Sequence, residues 1–90
     1  MFVAVCRWVH HRRAIRRRWK ADARHLAATD EVNAYYEAQR RAARARHRGD
    51  QNEFYHWAKV AAEVARLSPQ AEMNIDVVRR IADEEEAKGI

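Results

Sequence analysis

Ninety residues with a formal net charge of +5 and an isoelectric point near 10.0 describe one domain near the small end of what folds alone. Two glycines and one proline, among abundant Ala, Arg and Glu, favour helix over strand throughout. The lone Cys6 excludes an intramolecular disulfide and points to a reducing compartment.

The net charge hides a split. Residues 1–48 carry thirteen Lys/Arg against four Asp/Glu, whereas residues 49–90 carry five against nine. Arg outnumbers Lys fifteen to three, which suits recognition of phosphate or carboxylate by a planar fork. A GC-rich coding sequence, which also enriches Ala, produces the same bias without any ligand.

The first element is a helix over residues 1–28. Its opening, "MFVAVCRWV", has no basic stretch before the apolar run, is interrupted by Arg7 and is too short to span a bilayer. The expectation is therefore a cytoplasmic protein. Further along, Trp8, Ile15, Trp19 and Leu26 recur at helical spacing and form a narrow apolar stripe. Arg13, Arg16, Arg17, Lys20 and Arg24 lie to one side of that stripe as a continuous basic ridge. Asp22 is the one acid close enough in sequence to relieve it.

"ATDEVNAYY" closes this helix and opens the next, with Thr29 or Asp30 as N-cap. The second helix runs to Arg48, and Val32, Tyr35, Tyr36, Ala38, Ala42 and Ala45 lie on its apolar face. "HRGDQNE" is the strongest structural signal. Gly49 is placed to end one helix, and Asp50 with Glu53 has the form of a capping box for the next. The third helix, 51–67, carries Phe54, Trp57, Val60, Ala61, Val64 and Leu67 at three- and four-residue spacing. Residues 30–67 should thus be an antiparallel helical hairpin built around Tyr35/Tyr36 and Trp57.

Ser68 as N-cap and Pro69 at the first helical position then open an acidic C-terminal helix. It runs over 69–88 or restarts at Asn74. Met73, Val77, Val78 and Ile81 form its apolar face, and Arg79–Asp83 and Arg80–Glu84 are spaced to pair. The fold expected is a single all-α domain of three or four helices around the hairpin, with a long basic N-terminal helix.

No Gly-rich phosphate loop, nucleophile elbow or zinc-protease motif occurs, so the chain reads as non-enzymatic, with no small-molecule substrate. Cys6 with His10, and Glu53 with His56, are each too few ligands for a metal, and no cofactor is implied.

The leading expectation is an accessory protein that binds an anionic partner, first of all nucleic acid and without sequence specificity, through the ridge Arg13, Arg16, Arg17, Lys20 and Arg24. Two alternatives stand beside it. The stripe Trp8, Ile15, Trp19 and Leu26 suits a protein–protein adaptor or homodimer. A basic amphipathic helix also suits peripheral contact with an anionic membrane. The charges could instead be met internally, with "DEEE" (Asp83 to Glu86) docked on the ridge. The second cluster, "RRAARARHR" (Arg40 to Arg48), reads as a solvated helix end.

The segment from Asp22 to Leu67, with "AYYEA", "RGD" and "HWAKVAAEVA", is similar in style to short bacterial helical-hairpin reading frames, a likeness that implies no activity. "RGDQNEFYHWAKVAAEVARLSP" resembles the second half of a tetratricopeptide unit, but it is about one helical turn too long and has no second repeat. "EVARL" (Glu63 to Leu67), followed by "VVRR", faintly resembles helix-turn-helix repressors, without the turn glycine.

Overall fold

A computed structural model describes residues 2–68 and 73–89, with side chains from Cys6 onward. All regular structure among the described residues is helical: α1 (Phe2–Thr29), α2 (Ala34–Arg48), α3 (Gln51–Leu67) and α4 (Ile75–Lys88). The all-α hairpin architecture expected from the sequence is what forms.

The α2–α3 turn shows why. Gly49 adopts φ 75°, a left-handed conformation open to glycine at little cost. Its N–H donates to the Arg46 carbonyl and the Asp50 N–H donates to Ala45, which together make a Schellman ending. Asp50 then caps α3 by accepting from the Glu53 N–H at 3.1 Å. The capping box is only half made, because the Glu53 carboxylate turns instead to Arg18 and Trp57.

The α1–α2 junction is longer than expected. Residues 31–33 form a turn and α2 begins at Ala34, so Val32, expected on the apolar face of α2, precedes the helix and is exposed. Thr29 is still helical and bonds back to the His25 carbonyl, so it caps nothing. Asp30 accepts from the side-chain amide of Asn33 at 3.1 Å and holds the turn.

α4 begins at Ile75, N-capped by Asn74, whose side chain accepts from the Asp76 N–H at 2.8 Å; Met73, expected on its apolar face, precedes the helix and is exposed. The expected opening at Pro69 lies outside the described residues. Ser68 is buried, and its hydroxyl donates to Glu31 at 2.6 Å, tying the end of α3 to the α1–α2 turn.

α3 lies antiparallel to α2. α1 runs parallel to α3, as the successive pairs Arg18–Glu53 and Asp22–His56 show. α4 runs parallel to α2, with Asn74 beside Tyr36 and Gly89 against His47. α1 packs on α3 and touches α2; α4 packs on α2 alone.

The core sits where the end of α1, the start of α2 and the later turns of α3 converge. It consists of Ala23, Leu26, Ala34, Ala38, Val60, Ala61 and Val64. Val60 and Val64 are the largest side chains completely enclosed. Alanines at positions 34, 38, 42 and 45 form a buried small-residue face on α2, so the backbones of α2 and α3 come close. Trp19, Tyr35 and Trp57 pack around this centre rather than forming it. Tyr36 faces the other way, its hydroxyl accepting from the Asn74 N–H of α4 at 2.9 Å. Phe54 and Leu67, expected in the core, are each 38% exposed, because the α3 turns that carry them lie at the two ends of the packed region.

Candidate anion-binding face on helix α1

The apolar stripe of α1 is divided by its surroundings. Leu26 is buried, Trp19 is half-buried against the core, Ile15 is 38% exposed and Trp8 is 58% exposed. The division follows from length. α3 begins beside Arg18, and in the preceding turns every described side chain of α1 except half-buried Cys6 and Val9 is exposed. At 1.5 Å per residue that free part extends about 20 Å. Among the described side chains, the first to bond another helix is Arg18, which donates to Glu53 at 2.8 Å.

The ridge follows the same division. Arg13, Arg16 and Arg17 lie on the free part; all three are exposed, and none has an acidic partner among the described residues. Lys20 and Arg24 lie on the packed part, near Glu63 of α3. The Glu63 carboxyl is held below its ordinary value first by the hydrogen bond from Arg66, against the effect of burial, with Lys20 and Arg24 adding attraction. Arg12, off the ridge, stacks over the exposed Trp8 ring at 4.9 Å.

Neither acid assigned to the ridge from the sequence reaches it. Asp22 meets His56 instead, at 2.7 Å, in a pair that joins α1 to α3. His56 is 3% exposed and also lies edge-on to Trp57. "DEEE" does not dock on α1 at all, since α1 and α4 are not in contact. Glu84 and Glu85 pair with Arg40 and Arg44 of α2. The second basic cluster is therefore partly neutralised inside the fold, while the first remains open. The pairs expected along α4 do not form: Glu84 reaches Arg40 rather than Arg80, and Arg79 and Asp83 are not within bonding range.

Two further features bear on chemistry. A groove of about 610 Å³ lies between α2 and α4, its lining including Ala42, Ala43, Val78 and Ala82 together with Phe54 of α3. Among the described residues no group of three His, Cys, Asp or Glu side chains converges as a metal site, and no helix is long and apolar enough to cross a membrane.

The fold and this face define a four-helix all-α domain with a cationic helix end that no described carboxylate neutralises. No protein-family profile, curated protein or solved structure matches the chain.

The sequence pointed to the ridge and the stripe but not to the Asp22–His56 pair or the Arg40/Arg44–Glu85 cluster. Each of these joins residues more than thirty positions apart. A retrospective signal exists for His56, which sits four residues before Val60 on the packed face of α3.

Proposed function

We propose that this chain is an accessory protein that binds nucleic acid without reading its sequence, through the free half of α1 laid along a phosphate backbone. The observation that carries the reading is the position of Arg13, Arg16 and Arg17. Among the described residues they stand exposed and without a carboxylate partner, close together on a helix segment clear of the bundle, whereas Arg18, Arg40, Arg41, Arg44 and Arg66 each pair with a glutamate. Lys20 and Arg24 extend the same line toward the bundle. Trp19 packs against the core, so it offers no platform for a base, and contacts limited to phosphate do not discriminate sequence.

Fluorescence anisotropy with duplex DNA and single-stranded RNA of mixed sequence tests this. On the duplex, five phosphate contacts at a slope of about −0.9 each weaken binding about 500-fold between 50 and 200 mM salt. Replacing Arg13, Arg16 and Arg17 by Gln leaves two contacts and a loss of only about 12-fold over the same range. Absence of binding to both polymers at low salt would refute the proposal.

The exposure of Trp8 and Ile15 favours a second reading, in which α1 makes a protein contact, with a homodimer as the simplest case. Sedimentation equilibrium decides it: a dimer must dissociate on Trp8→Asp/Ile15→Asp substitution. Co-sedimentation with anionic vesicles, accompanied by a blue shift of Trp8 emission, would assign the same face to a membrane surface.

A further inference from the structure

We propose that Arg40 and Arg44 of α2 form a second phosphate-binding site, which Glu84 and Glu85 of α4 occupy in this structure, so that α4 is a displaceable cover over it. Arg40 and Arg44 are one turn apart and share a face of α2. Arg40 presents two nitrogens to two carboxylates, Nη1 to Glu85 Oε1 at 3.0 Å and Nη2 to Glu84 Oε2 at 3.1 Å. Arg44 Nε takes the other Glu85 oxygen at 3.2 Å. One carboxylate thus has both oxygens held by two guanidinium groups. A phosphate held by paired arginines receives the same arrangement.

The carboxylate in that position is costly to bury. Glu85 is 5% exposed, and only the surrounding cations, with Lys88 Nζ at 3.5 Å, offset its loss of water. The cover itself is lightly anchored. Among the described residues, the backbone of α4 comes close to that of α2 but not to that of α1 or α3. Beyond the ion pairs, it is held by buried Ile81, by half-buried Val77 and Val78, and by the Tyr36–Asn74 bond. A phosphate that replaces Glu84 and Glu85 leaves the arginines satisfied and returns both carboxylates to water, so the exchange needs no unpaired buried charge. The ligand class is a phosphate group, either a small anion or a polymer backbone; only the polymer form rests on the function proposed above.

The test uses the full chain, labelled with ¹⁵N and titrated with inorganic pyrophosphate. In the unaltered protein, pyrophosphate should speed amide exchange in residues 75–88 and leave α3 unchanged. In E84Q/E85Q, the Arg40 and Arg44 Nε–Hε signals should shift at pyrophosphate concentrations at least tenfold lower than in the unaltered protein. D76N/D83N removes the same charge from α4 at residues that touch no arginine, and should leave the midpoint unmoved. If circular dichroism shows E84Q/E85Q unfolded, E84Q alone, at an exposed residue holding one Arg40 bond, should move the midpoint about threefold. Equal shifts in the two double variants, or α4 exchange indifferent to pyrophosphate, would overturn the proposal.

A duplex-DNA arm separates the two sources. Tighter DNA binding by E84Q/E85Q than by D76N/D83N, abolished by R40Q/R44Q, assigns the site to a polymer. A pyrophosphate response without that gain assigns it to a small anion. If R13E/R16E/R17E leaves DNA affinity unchanged while the pyrophosphate response persists, the α1 reading fails and this one stands.

Discussion

Replacing Trp8 and Trp19 by Ala, one at a time, tests the division of α1 directly, because both lie on one stripe of one helix and differ only in what covers them. Trp19 packs on the Ala23–Leu26–Val60 core. If it covers about 120 Å² of the roughly 200 Å² a Trp side chain offers, its loss costs about 3 kcal/mol at ~25 cal/mol per Å². For a domain of this size that lowers Tm by roughly 12–24 °C. Trp8 is 58% exposed, and its visible partner is Arg12 at 4.9 Å. A stacked cation at an exposed site contributes about 0.5–1 kcal/mol at most, so Trp8→Ala should shift Tm by only a few degrees. Thermal unfolding followed by circular dichroism at several protein concentrations reads both numbers. Equal losses that do not vary with concentration would mean that α1 is packed along its whole length, and the free cationic end would not exist. A Trp8 loss that grows with concentration would instead show that a second copy covers the stripe.

Val60→Ala removes two methyl groups from a fully enclosed site and should cost about 2–3 kcal/mol, transfer and cavity together, in a chemical denaturation curve of unchanged slope. A loss below about 0.5 kcal/mol would place the core elsewhere. Acid should destabilise the fold through Glu85, Glu63 and Glu53. Burial pushes the Glu85 carboxyl up, but hydrogen bonds from Arg40 and Arg44 more than reverse that. Glu63 and Glu53 are held low mainly by Arg66 and Arg18. Carboxyls held lower in the folded state than in the unfolded chain contribute their full stability above the ordinary value of 4.5, and it is lost as pH falls below that value toward their folded pKa values. A pH series of melting curves should therefore steepen below about pH 5, and E85Q should melt lower at neutral pH but with a shallower acid slope. An acid slope unchanged in E85Q would remove the Arg40/Arg44 cluster from the account.

Local chemistry was legible in the residues themselves. Helix identity followed from composition and apolar spacing, and the α2–α3 turn from Gly49 and Asp50, because a left-handed ending and a side-chain cap depend on neighbours a few positions away. The ridge Arg13, Arg16, Arg17, Lys20 and Arg24 followed from helical geometry alone. What the apolar stripe of α1 meets did not. Trp8 and Trp19 look alike on a helical wheel, and only the point where α3 begins decides that one is covered and the other is not. The same holds for charge. The acidic run was visible and so were both basic clusters, but pairing depends on which helices touch. α4 lies on α2, so Glu84 and Glu85 neutralise Arg40 and Arg44 and leave Arg13, Arg16 and Arg17 open. Propensity and capping act over one helical turn, whereas burial and ion pairing here act across thirty to forty-five residues, and the packing of the helices had to choose the partners.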